Sequence, residues 1–138
     1  SRVLEEADAF VSVITFCKYD LLTQEAKEQL VPTAAEQDVA VIAASPLHAG
    51  LLGSKRDDWM ETGRFQDLYD RLERVEDLLK GEPEGVSQIA LRYLLSDPRI
   101  KVILCGVRNV EELEVCVSVS DGEFLPEDWI EEIEEIST

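Results

Sequence analysis

The stretch VAVIAASPLHAGLLG, residues 39–53, decides how the rest of the chain is read. Its first six residues are a short continuous apolar run, the pattern of a strand buried on both faces of a parallel sheet. Ser45-Pro46 ends the run and opens a loop that carries Gly50 and Gly53 and extends to Trp59. Two more runs share this character: FVSVITF at 10–16, β-branched and aromatic with partial alternation, and KVILC at 101–105.

Helical spacing fills the intervals. Thr23 reads as an N-cap for a helix through Ala26, Leu30 and Ala34, with Pro32 an awkward fit inside it. Leu68, Leu72, Val75 and Leu79 recur at three- and four-residue steps in a charged amphipathic helix over 65–80, broken by GEPEG at 81–85. A more apolar helix covers 87–95 and stops at Asp97-Pro98. Asn109 caps a helix towards Ser118, with Glu112 at capping-box spacing, and Pro126 opens an acidic helix containing Trp129, Ile130, Ile133 and Ile136. Strands alternating with helices imply right-handed crossovers and a parallel sheet. Three strands with open edges make a poor independent sheet, so the pattern looks like part of something larger.

Composition narrows the function classes. The chain has 138 residues and a formal net charge of −17, from 30 acidic and 13 basic side chains. A surface this acidic repels nucleic acid and anionic lipid at long range, although a helix N-terminus and one arginine still act on a phosphate at short range. No apolar run is long enough to span a bilayer. Glu5, Glu6 and Asp8 stand where a signal peptide would have basic residues, so a cytoplasmic location is expected. The three cysteines, Cys17, Cys105 and Cys116, have no metal-ligand spacing and read as buried small hydrophobes. With His48 the one histidine, no metal site is expected.

In parallel α/β folds, ligands bind at the C-terminal ends of the strands. Three segments occupy that position: 17–22, 45–52 and 106–109. Gly106, Arg108 and the next helix's N-terminus suit a nucleotide phosphate, but on spacing alone an ordinary capped helix with a surface arginine is the better reading. Glu111 and Glu112 count against an anion there. Ser45 and the bare amides after it suit a pyrophosphate or simply a turn. Tyr19 either stacks on a flat ring or ends its strand with the hydroxyl in water. His48 has no nameable partner and reads as a loop histidine.

At these same residues the chain resembles the aldo-keto reductases, nearest their sugar-dehydrogenase branch. The motifs are CKYDLL (17–22), VIAASPLHAGLLG (41–53) and ALRYLLSDPRIKVILCGVRNVEELE (90–114), in order and over nearly the whole chain from Val13 to Ile136. The resemblance implies a partial (β/α)8 TIM barrel, roughly the last three βα units, as a single domain over residues 1–138. It implies NADP or NAD as cofactor: Tyr19 stacking on the nicotinamide, Ser45, Leu47, Gly50 and Leu51 around the pyrophosphate, and Gly106, Arg108 and Glu112 at the adenosine end. Two departures from the family stand out. An acid occupies the Glu112 position, where it repels a 2′-phosphate, and Val115 and Cys116 replace a pair that meets the adenine. Cofactor binding is therefore expected to be weak or lost.

The family's catalytic Asp, Tyr, Lys and His come from earlier strands, which no part of this chain matches, so no catalytic residue is assigned. Three readings follow: a portion of a reductase that works only with its N-terminal half; a stand-alone half-barrel that self-associates, as a homodimer, without catalysis; or a new activity built on Tyr19, His48 and Arg108.

Overall fold

The structure, a computed structural model, describes residues 10–137; Glu5, Glu6 and Asp8 lie outside the described residues. Three parallel strands, β1 (Ser12–Phe16), β2 (Ala40–Ala44) and β3 (Ile100–Leu104), lie side by side in chain order. Helix α1 (Glu25–Glu36) crosses from β1 to β2. Helices α2 (Arg56–Thr62), α3 (Tyr69–Leu78) and α4 (Val86–Leu95) lie between β2 and β3, and α5 (Val110–Ser118) and α6 (Glu127–Ser137) follow. Consecutive parallel pairing with helical crossovers is the repeating unit of a β/α barrel.

β1 and β2 fall inside their expected runs and β3 starts and ends one residue before its own, but the burial differs from expectation. One sheet face carries Val41 and Ala43, each 1% exposed, with the half-buried Val13 and Ile103, and packs on the helices. The other face carries two rows fixed by the register, Ile14–Ile42–Val102 and Phe16–Ala44–Leu104. Ile14 is 59% exposed, Phe16 65%, Val102 45% and Leu104 47%. Residues 39–44 and 101–105 therefore do not form strands buried on both sides, because no described element covers the second face. Nor are the cysteines fully buried; all three are free and half-buried.

The helices agree with the expected periodicity in their cores and differ at their ends. Leu68, Leu72, Val75 and Leu79 are all buried, as the 65–80 pattern requires. That segment opens with a turn of 3-10 helix (Gln66–Leu68) because Phe65 has φ +62°, a left-handed conformation that starts no α-helix. Helix α1 begins after Gln24 rather than at a Thr23 cap, and it keeps Pro32 inside. The 45–59 loop also holds more structure than expected: a 3-10 turn (His48–Gly50) and the first residues of α2.

Arg92, 7% exposed, pins the helices together. Its guanidinium donates to both Glu84 oxygens at 2.7 Å, to both Asp121 oxygens at 2.8 Å and to the Glu123 carbonyl at 2.9 Å. Bidentate pairing of this kind makes a near-buried cation tolerable. Asp97 does similar work under the sheet, accepting from the Tyr19 hydroxyl at 2.7 Å and from the Arg99 guanidinium at 2.7 and 2.8 Å.

Candidate functional site

Beyond the C-terminal ends of β2 and β3 lies a cavity of about 450 Å³. One wall is the 45–55 loop and the other is the segment from Leu104 to Cys116. Strands β1 and β2 both end in left-handed residues, Cys17 (φ +49°) and Ser45 (φ +59°). Non-glycine residues held this way are sustained by surrounding contacts. Here the Ser45 hydroxyl accepts from the Cys17 thiol at 3.2 Å and from the Ala49 amide at 2.8 Å, which leaves its own proton to donate.

The loop is anchored from below by a buried pair. Asp20, fully buried, takes the His48 Nδ1 at 2.8 Å on one oxygen and the Leu22 amide at 2.8 Å on the other. His48, 5% exposed, sits edge-on to Phe65 with ring centroids 4.9 Å apart. The network continues through Gln24, whose amide donates to the Asp20 carbonyl at 3.1 Å and whose oxygen accepts from the Tyr93 hydroxyl at 2.5 Å. His48 is thus a loop histidine, as expected, but a buried one with a partner, Asp20. Gly50 is required where it stands: its φ is +91°, and a Cβ there would lie 2.8 Å from the Lys55 Cβ.

Opposite, Asn109 caps α5 by accepting from the Glu112 amide at 2.8 Å. The Glu112 carboxylate does not close the box on Asn109. It takes the Arg108 backbone amide at 2.7 Å, the Arg108 guanidinium at 2.9 Å and the Ser54 hydroxyl at 2.8 Å, and Arg108 also donates to Ser54. These hydrogen bonds, from Arg108 first and then Ser54, hold the Glu112 carboxyl well below the usual range, at about 2. The clamp joins the two walls across the cavity mouth.

Of the residues expected to hold a cofactor, Ser45, Leu47, Gly50, Gly106, Arg108 and Glu112 line this cavity. Tyr19 and Leu51 do not. The left-handed turn at Cys17 directs the chain beneath the sheet, where Tyr19 is 2% exposed, donates to Asp97 and meets Tyr93 edge-on, so no face is open for stacking. Leu51 is fully buried in the core. Ser54 and Lys55, which the sequence reading passed over, also line the cavity. Their signal was the run Gly53-Ser54-Lys55, a hydroxyl and an ammonium directly after a glycine.

A match to the Aldo/keto reductase family covers residues 3–138. The chain belongs to the aldo-keto reductase family. YrpG of Bacillus subtilis, named an uncharacterized oxidoreductase, is 34% identical over 103 residues, which is 70% of this chain and 32% of that protein. A D-threo-aldose 1-dehydrogenase from a Pseudomonas species is 29% identical over 110 residues, 77% of this chain and 33% of that enzyme. Among solved structures, the aldo-keto reductase AKR11C1 from Bacillus halodurans in its apo form superposes with a TM-score of 0.79 at 21% identity, over 99% of this chain and 46% of that one. Its holo form gives 0.73 at 18%. The chain thus spans about a third to just under half of the length of these relatives and carries part of the aldo-keto reductase barrel. Among the described residues, no helix is long and apolar enough to cross a membrane, and no group of metal ligands comes together.

Proposed function

We propose that this chain supplies the cofactor-holding side of an NAD(P)-dependent oxidoreductase and performs no hydride transfer by itself. The observation that carries this reading is the gathering of Ser45, Leu47, Gly50, Gly106, Arg108 and Glu112, from two distant segments, around one cavity. Its volume is in the range of small-ligand sites. The Ser45 hydroxyl and the Lys55 ammonium suit the pyrophosphate, and the α5 N-terminus with Arg108 suits the adenosine end. When bound, a nicotinamide cofactor supplies the hydride; these side chains only hold and orient it.

The tyrosines support the absence of catalysis. Carbonyl reduction in the aldo-keto reductases uses a tyrosine acid whose pKa is lowered. Burial, and for Tyr19 the bond to Asp97, instead push the Tyr19 and Tyr93 hydroxyls above their ordinary value. Tyr69 gives its hydroxyl to the carbonyls of Trp59 and Arg64 at 2.6 and 2.7 Å. None of the three tyrosines is poised to serve as that acid.

Glu112 sets the affinity. Ionised and paired with Arg108, it competes with a phosphate for the guanidinium, so binding of either nucleotide is expected no tighter than about millimolar, ~4 kcal/mol. Calorimetric titration of NADPH and NADH into the protein and its Arg108→Ala variant tests this. Weak heat that disappears in the variant supports the site; micromolar binding shows that Glu112 yields to the cofactor, and silence at all concentrations removes the site.

The uncovered sheet face favours a second statement, about partners. Ile14, Phe16, Val102 and Leu104 form an apolar surface on the side that faces a barrel's interior. The missing strands of a barrel cover such a face, and in their absence a second copy of the chain does so as a homodimer. The net charge of −17 opposes self-association until salt screens it. Light scattering over a salt series is expected to show dimers that strengthen with salt; a monomer at every salt and protein concentration rules the homodimer out.

A further inference from the structure

The charged side chains that line the cavity are Lys55, Arg108 and Glu112. Glu112 Oε1 accepts from the Ser54 hydroxyl at 2.8 Å and from Arg108 Nη2 at 2.9 Å, and Oε2 accepts from the Arg108 backbone amide at 2.7 Å. The Lys55 ammonium stands 3.3 Å from Asp58 and 5.6 Å from the centre of the Trp59 ring. Each cation of the lining therefore already faces an acid. We propose that Ser54, Arg108 and Glu112 form a recognition site for the adenosine ribose, in which Glu112 accepts the 2′-hydroxyl and the cluster selects nucleotides that lack a 2′-phosphate, NADH over NADPH. The preference rests on the nucleotide reading of the cavity and adds to it which of the two nucleotides the site takes.

The hydroxyl fits the free capacity of the carboxylate. A carboxylate offers about four acceptor positions, and a bond to an ionised acceptor is stronger than one to a neutral acceptor. Among the described residues the Arg108 amide is the one donor to Oε2, so that oxygen has room for another. The same pairing of an acid with the ribose 2′-hydroxyl marks NAD sites on doubly wound sheets. Ser54 is a positioning residue: from the opposite wall, its hydroxyl donates to Glu112 and accepts from Arg108, which fixes the carboxylate at the mouth.

A 2′-phosphate meets the reverse. It carries close to two negative charges at neutral pH and has no proton to give. The carboxylate it approaches is ionised, since Glu112 is held at about 2. Moving the Arg108 guanidinium onto the phosphate breaks its pair with Glu112 and leaves that acid beside a dianion. The nearby backbone amides are committed as well, Arg108 to Glu112 and Glu112 to the Asn109 cap.

Three small nucleotides test this without hydride chemistry: 5′-AMP, 2′-deoxy-5′-AMP and adenosine 2′,5′-bisphosphate. Each is titrated into isotope-labelled protein, and the NMR shifts of the Ser54, Arg108 and Glu112 amides report binding. 5′-AMP is expected to bind tightest, the deoxy form several-fold weaker and the bisphosphate about tenfold weaker. In Glu112→Gln, which keeps the shape of the side chain and removes its charge, the bisphosphate should gain about tenfold on 5′-AMP. The net charge of −17 repels the bisphosphate in both proteins, so that gain isolates the local charge. In the native protein, a deoxy form that binds as tightly as 5′-AMP, or a bisphosphate that does so, overturns the ribose site and leaves the nucleotide site standing. An unchanged order in Glu112→Gln overturns it too. If none of the three nucleotides moves these amides, the nucleotide reading falls and the preference falls with it.

Discussion

The two walls of the cavity are built by opposite means. The 45–55 loop is held from inside: Leu51 and Leu52 are in the core, His48 binds the buried Asp20, and the Trp59 indole donates to the Ala49 carbonyl at 3.0 Å. The 106–118 wall is held from outside, by one cap, one exposed clamp and one side-chain bond to α4, and no residue of α5 is fully buried. The first wall therefore opens only with the core, while the second moves by itself at little cost. A site with one fixed and one compliant wall can admit a long ligand from the compliant side and still define its position.

The sharpest way to break this contrast is to cut the inner anchor. His48→Ala leaves the Asp20 carboxylate buried with a single backbone donor. Losing one partner of a buried polar pair costs roughly 3 kcal/mol, so the denaturation midpoint should fall by that equivalent. A loss below about 0.5 kcal/mol, the scale of surface substitutions, would mean that the loop is not tied to the core.

Glycine substitutions sharpen the comparison at the next level. Gly50→Ala forces a side chain into a left-handed conformation and against Lys55, at a cost of about 1–3 kcal/mol. At Gly106 a Cβ meets nothing within 4 Å, so Gly106→Ala should change stability by no more than about 0.5 kcal/mol. The two melting curves are expected to separate clearly; equal losses would show that the walls are equally constrained.

The smallest effect concerns acid. Glu112 has a depressed pKa in the folded protein, so its contribution is present above the ordinary carboxylate value of 4.5 and is lost as pH falls towards about 2. An NMR titration of the Glu112 carboxyl should have its midpoint near 2, and hydrogen exchange should show α5 loosening before the 45–55 loop across that window. A midpoint at the ordinary value would mean that the clamp across the cavity mouth is open in solution.

The contrast also explains what could be read from sequence. The strands lay within one residue of the expected apolar runs, the α3 face was legible as Leu68, Leu72, Val75 and Leu79, and the Asn109 cap was visible, because each signal is local. The Asp20–His48 pair joins residues in separate segments, and periodicity records burial but not which distant polar group satisfies another. Its trace was indirect: one acid inside CKYDLL and one imidazole inside an apolar loop, each a polar island in a buried context. Tyr19 was misplaced for a related reason. The positive φ at Cys17 that turns the chain under the sheet occurs at a residue with no special liking for that conformation.

The register of the sheet has a kinetic consequence. Phe16 pairs with Ala44 across a single helix, but Ala44 pairs with Leu104 only after three helices have intervened. Closing the second loop costs more chain entropy before any contact repays it, and long-range parallel pairing is slow. During synthesis β1, α1 and β2 are made before β3, which leaves the β3-facing edge of β2 and the apolar side chains of Ile14, Phe16 and Ile42 open to any strand nearby. The interval before β3 arrives is when this chain is most exposed to mispairing, and refolding yield should fall with protein concentration far more steeply than native stability would suggest.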